Sequence, residues 1–266
     1  MPQAAHEQYT RELFDKWGYF ATWMPNGPCA LGDVGVLRGR RFNRMTSLAN
    51  LGVAFTTTRR GTPVDYSYAS TGGVDCSLSG QAEAVTPLSG SRAALATLTV
   101  SFKSANATYF RAVECTVESI DDLPALERPL AELRQSGQWR REYWVMTEVV
   151  RTGPALILVA NEANARVSLR VTSDGLPVTD VLGGASASTG LSVGSGLEAS
   201  VLAPRGGVTP LFRAARLCKT VARKPRLRVR GSGGGAETAR QPWQLTPATW
   251  EDFEQDAPME ESVTAS

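Results

Sequence analysis

The chain is 266 residues long, and its 42% apolar residues suffice for a sizeable core, so one large domain with an appended tail is expected. Its 28 basic and 26 acidic side chains leave a formal charge of +2 that hides a very uneven distribution. No run approaches the roughly 20 apolar residues of a membrane-spanning helix, and residues 1–10 lack the charged start and apolar run of a signal peptide, so a soluble, cytoplasmic chain is expected.

Residues 8–17 place Tyr9, Leu13 and Trp17 at four-residue spacing with Phe14 beside them, one apolar stripe on a short helix that Gly18 ends. Residues 19–24 read as extended, before a turn at Pro25, Asn26, Gly27 and Pro28. Beyond Ser47 alternation takes over. Residues 95–102 set Ala96, Leu98, Val100 and Phe102 against Leu95, Thr97, Thr99 and Ser101, and the same period of two predicts strands over 109–117, 143–150, 166–171 and 191–201. Between them, residues 121–136 carry Leu123, Leu126, Leu130 and Leu133 at helical spacing, an amphipathic helix expected to be interrupted early by Pro129. The continuous apolar run Ala155–Ala160 reads as a strand buried on both faces. Many strands, few helices and no regular βαβ alternation predict an α+β fold.

The last sixty residues change character twice. Residues 205–230 hold nine bases and no acid; residues 231–235 are glycine and serine, a flexible joint by composition. Residues 246–266 then hold six acids and no base, with Trp250, Phe253 and Met259 as apolar members. All 28 bases and 20 of the acids lie in residues 1–245, which therefore carry +8 against −6 for the tail. Losing the tail would expose a basic body fit for an anionic membrane or a nucleic acid.

Several chemistries find no footing. His6 is the one histidine, in a stretch expected to fray, so a histidine-based triad is not expected. Gly190, Leu191, Ser192, Val193 and Gly194 spell the nucleophile-elbow pattern, yet no histidine follows, and a glycine-rich strand explains the segment better. The glycine pairs lack P-loop or dinucleotide spacing. Cys29, Cys76, Cys115 and Cys218 form no metal-type pair and read as reduced, mostly buried small hydrophobes. No cofactor, metal or catalytic residue is assigned.

Three blocks carry a family resemblance. The first runs through residues 9–51: a short helix, Trp17-Gly18-Tyr19, a strand reaching Pro25, Pro28 near Leu31-Gly32, and Ser47-Leu48 with Leu51. The second is residues 143–150 followed by Ala155–Ala160 and the alternating segments 166–171 and 191–201; the third is Leu217-Cys218-Lys219, then a linker and short tail. Together they resemble the bacterial gasdermins over roughly residues 9–230. The resemblance implies a twisted central antiparallel sheet flanked by helices in a pore-forming domain over residues 1–230. It further implies a linker with the cleavage region over 231–245 and an autoinhibitory tail over 246–266.

By that resemblance the chain is no enzyme. It is a monomer until an activating protease removes the tail, and then a homo-oligomer that permeabilises the inner membrane in cell death and antiphage defence. Trp250, Phe253 and Met259 would hold the tail, Gly235, Arg240 and Leu245 mark the candidate cleavage region, and Arg223, Lys224, Arg226 and Arg228 would face the membrane. A bilayer admits strands only as a closed barrel, so Leu98, Val100, Phe102, Leu191, Val193 and Leu197 are the candidate inserting positions. Bacterial gasdermins commonly carry a lipid-modified cysteine near the N-terminus; the first here is Cys29, behind a turn, and that role is not transferred. The alternative reading is a soluble α+β binding module that contacts nucleic acid through residues 205–230, which offer little aromatic interleaving beyond Phe212. No nucleic-acid partner is expected under the favoured reading.

Overall fold

The computed structural model describes residues 5–27, 29–85, 92–174, 188–193, 196–203, 206–219 and 243–254, with the backbone alone at 78, 80–85, 92–96, 170–174 and 188–193. Helix α1 (Ala5–Trp17) begins earlier than its apolar stripe suggests and buries Tyr9 and Leu13 completely. Phe14, one position round the helix, turns into a different cluster, so α1 bridges two parts of the core. Gly18, at φ +69°, closes the helix by donating its N–H to the Phe14 carbonyl at 2.7 Å. His6 does not fray: it lies on α1 with its ring 5.7 Å from that of Trp23. The extended stretch predicted next shrinks to β1 (Phe20–Ala21), because only these two residues pair with a neighbouring strand.

Strands β2 (Asp33–Arg38) and β3 (Arg41–Ser47) form a hairpin whose strands approach closely at Gly35, where a Cβ would stand 2.2 Å from the Asn43 carbonyl oxygen. Four long strands follow: β4 (Thr57–Ala69), β5 (Val74–Val85), β6 (Arg92–Phe102) and β7 (Thr108–Ile120). Helix α2 (Leu123–Gln135) is capped by Asp122, whose side chain accepts from the Ala125 N–H at 3.2 Å. It runs through Pro129 without interruption, contrary to expectation. A mid-helix proline costs about 3 kcal/mol, and the burial of Leu126 and Leu130, at about 1.5–3 kcal/mol each, outweighs it.

The remaining elements are β8 (Trp144–Arg151), β9 (Ala155–Ala160), β10 (Arg166–Asp174), β11 (Ser188–Val193), β12 (Leu197–Ala203), β13 (Leu211–Lys219), β14 (Trp243–Pro247) and α3 (Trp250–Glu254). The fold is sheet-rich, with few helices and antiparallel sheets. A ten-stranded sheet runs β1-β13-β8-β7-β9-β12, with β14 on β13, β2 on β8 and β3, and β4 on β7. A second, four-stranded sheet runs β11-β10-β6-β5.

The two sheets explain the unbroken apolar run of β9. Its Ala155, Ile157 and Val159 face a core shared with α1, while Leu156, Leu158 and Ala160 face a second core made with Val100 and Phe102 of β6 and Val167 and Leu169 of β10. Each face of β9 therefore meets apolar partners, and alternation is lost. The predicted single strand over 191–201 is in fact two. β11 pairs with β10 in the smaller sheet, whereas β12 pairs with β9 in the larger one, with Gly196 at φ +92° before β12. All four cysteines are free, but only Cys115 is buried; Cys29 and Cys218 are half-buried and Cys76 exposed, fewer inside than their residue type suggests.

Candidate functional site

The acidic tail enters the fold in two steps. First, β14 adds to the edge of β13 in antiparallel register, Lys219 opposite Trp243, Leu217 opposite Leu245 and Ala215 opposite Pro247. Leu245 is buried at 7% exposure, and its N–H donates to the Glu127 carboxylate of α2 at 3.1 Å. Trp243, Gln244 and Leu245 therefore belong to a paired strand and not to the flexible linker expected over 231–245. A protease needs an extended segment free of such pairing.

Second, α3 docks its aromatic face. Thr249 and Asp252 form a reciprocal cap: the Asp252 carboxylate accepts from the Thr249 N–H and hydroxyl, each at 3.0 Å, and the Thr249 hydroxyl accepts from the Asp252 N–H at 3.4 Å. Phe253 is wholly buried and Trp250 is 6% exposed. The Phe253 ring lies 4.6 Å from that of Phe20, which itself stacks on Phe14 at 4.9 Å and meets Phe212 at 5.7 Å. Trp250 sits 5.2 Å from Phe14.

Three arginines from separate elements surround this helix. Arg11 of α1 lies over the Trp250 ring at 4.7 Å, Arg216 of β13 pairs with Asp252 at 3.0 Å, and Arg40, in the β2–β3 turn, pairs with Glu254 at 3.4 Å while also contacting Glu7 of α1. These pairs are partly exposed, so each contributes about 0–1 kcal/mol. Burial of the two aromatic side chains contributes about 1.5–3 kcal/mol apiece and dominates. The Trp250 indole N–H meets no acceptor among the described residues. A buried donor left so costs about 1–3 kcal/mol, which offsets part of that gain. The tail is held by a small aromatic contact with a built-in deficit.

Of the other residues singled out, Val100 and Phe102 are each 1% exposed and Leu98 is half-buried, all facing the core between the sheets. Leu191 and Val193 lie on β11, opposite Leu169 and Val167 of β10. Leu197 lies instead on β12, in the larger sheet, so it does not share a strand with them. Met259, Gly235, Arg240, Arg223, Lys224, Arg226 and Arg228 lie outside the described residues. Sequence reasoning passed over the Thr249–Asp252 cap, although serine or threonine three residues before an acid is a readable helix-start signal. It also passed over the Trp243–Leu245 alternation that marks β14.

A second feature is a buried acid on the sheet. Glu148 of β8 accepts from the Tyr19 hydroxyl and lies 3.6 Å from Arg213 and 3.8 Å from Arg60. Burial, and then the Glu148 contact, push the Tyr19 phenol well above its usual range. Arg213 also lies over the Tyr19 ring at 4.4 Å, so the group ties the end of α1 to β8 and β13. The Cys29 thiol is pushed up to about 11 by burial and then by the Asp33 carboxylate, so it is not a thiolate near neutral pH. His6 is held below its usual value, chiefly by burial and then by Arg41.

Among the described residues no helix is long and apolar enough to cross a membrane, and no group of three metal-ligating side chains comes together. No protein-family model matches the chain, and no curated protein matches it. Among solved structures the chain is similar to the cryo-EM structure of the Gasdermin A3 membrane pore, with a TM-score of 0.33 and 12% identity over 84% of this chain and 93% of that one.

Proposed function

We propose that the chain is a non-enzymatic, self-inhibited pore-forming protein of the gasdermin type. After an activating protease removes its tail, it assembles into a homo-oligomer and permeabilises the inner membrane, as a cell-death effector in antiphage defence. The observation that carries this reading is the docked tail: an uncharged strand and an acidic helix, without a single base between them, resting on the arginines and aromatic rings of the body. The released piece begins by residue 243, since β14 and α3 dock as one continuous unit. The cut accordingly falls within 231–242.

Release does two things at once. It takes the six acids of residues 246–266 from the chain and, with Glu237 and Arg240 inside the cut range, moves the formal charge from +2 to +7 or +8. Attraction to an anionic leaflet grows by about 1 kcal/mol per basic residue near its surface. It also uncovers Phe14, Phe20 and Phe212 and opens the β13 edge.

The inserting elements are the strands of the smaller sheet. β5, β6 and β10 hold 12, 11 and 9 residues, and a barrel strand needs roughly 9–11 to cross a bilayer. Val100 and Phe102 line the soluble core in the intact chain, so insertion requires the contact between the two sheets to part.

A site-specific protease sequence placed within 231–242, cut in the presence of dye-loaded vesicles, tests the reading. Leakage from anionic vesicles upon cutting, and none before, is expected. A tail that dissociates without leakage from either anionic or neutral vesicles refutes it.

A further inference from the structure

A cavity of about 320 Å3 lies at the junction between the body and the tail strand, away from the aromatic contacts of α3. It forms where β13 outruns β8: pairing with β8 stops at Arg216 opposite Trp144, whereas pairing with β14 continues to Lys219 opposite Trp243. Arg134 in the last turn of α2, Trp139 and Arg141 beyond that helix, Lys219 of β13 and Trp243 of β14 border it.

Its charge is one-sided. The side chains of Arg141 and Lys219 are exposed and have no ion-pair or hydrogen-bond partner among the described residues. Arg134 commits one donor to the Trp139 carbonyl at 3.1 Å and keeps the rest of its five N–H groups. Arg216 also borders the cavity, but its guanidinium is taken by Asp252 and lies over Trp144. No carboxylate lines the cavity among the described residues. Three cations converging on a concave site without a counterion raise the local concentration of anions. Arginine forks match phosphate oxygens in pairs. The walls are aromatic, Trp139 being buried and Trp243 half-buried. At the lower end of the roughly 300–1,000 Å3 range of ligand pockets, the space suits one phosphorylated ring and no polymer.

We propose that this cavity binds a small ligand of the nucleoside phosphate class, its phosphate oxygens held by Arg134, Arg141 and Lys219 and its ring by the face of Trp243. The three cations belong to the body and Trp243 to the tail. A ligand gripping both binds the tail-docked chain more tightly than the released one, and so slows tail release. That coupling rests on the pore-forming reading; the binding does not.

Calorimetric titration of the full chain with ADP and with inorganic pyrophosphate, without divalent cations, tests the site. Both are expected to bind, ADP the tighter. Removing each cation, in Arg141→Ala and Lys219→Ala, is expected to weaken both by about tenfold. Both side chains are exposed, so the variants fold. Affinity for ADP no greater than for pyrophosphate refutes the ring contact. No binding, or binding unchanged in the double variant, overturns the site, and so does binding confined to phosphatidylcholine vesicles carrying a phosphoinositide. Finally, ADP is expected to slow dissociation of the tail after a cut within 231–242. Unchanged dissociation at saturating ADP removes the coupling while leaving both the site and the pore reading standing.

Discussion

Replacing Phe253 with alanine perturbs the tail where it is held most firmly. The side chain is fully buried, 4.6 Å from Phe20 and 5.7 Å from Trp250. Truncating a buried Phe costs about 3–5 kcal/mol. Here the cost falls on tail docking more than on global folding, because α3 lies beyond the last sheet strand and Phe14, Phe20 and Phe212 still pack on one another. The ionic contacts bound the comparison: Asp252 with Arg216 is worth about 0–1 kcal/mol. Hydrogen exchange at the β14 amides reads the local opening directly. Phe253→Ala is expected to speed it by two to nearly four powers of ten, and Asp252→Asn, which removes the charge but keeps a side-chain oxygen for the Thr249 cap, by tenfold or less. Trp250→Phe is expected to change little, since it removes the unpartnered indole N–H along with the Arg11 contact. Equal acceleration by Phe253→Ala and Asp252→Asn would show that charge, and not aromatic burial, holds the tail.

Other outcomes follow from the same contacts. Phe253→Ala in the uncut chain should leak anionic vesicles slowly, and leakage indistinguishable from the parent chain would count against the tail as the inhibitor. Val100→Asp should lower stability by more than about 3 kcal/mol in a denaturant titration, because an unpaired charge would enter a site now 1% exposed; a smaller loss would show that the sheets separate readily. Burial alone would raise the Glu118 carboxyl, but hydrogen bonds from Arg151 at 2.5 Å and Arg59 at 2.7 Å outweigh it and hold the group below its ordinary 4.5. Its stabilising effect is thus complete above the unfolded value and lost as pH falls through the lower folded one. Glu118→Gln should melt below the parent chain at pH 7, with the two converging as pH falls below the ordinary carboxylate range, and a constant gap would contradict the assignment.

Much of this was legible in the residues and some was not. Trp250 and Phe253 stand out because large aromatic side chains among six acids have no reason to be there unless they are buried. The strand β9 was readable because a continuous apolar run needs partners on both faces. Alternation, however, records only that a strand has two faces and not which sheet it joins. That is why residues 191–201 read as one strand although Leu191 and Leu197 sit in different sheets. Pro129 signals a break by backbone preference alone, and the tertiary burial of Leu126 and Leu130, which local sequence does not display, overrides it. The cavity was invisible for a similar reason: Arg134, Lys219 and Trp243 are far apart in sequence and meet only through the pairing of β13 with β14 and the packing of α2 beside them.

The central claim is that the body makes pores once residues 243–266 are gone. A chain ending at residue 242, applied to a planar bilayer containing anionic lipid, measures this most directly. Discrete, stable conductance steps are predicted, with the full chain silent under the same conditions and silent again until it is cut. A folded, membrane-bound truncated chain that gives no conductance steps would contradict the account.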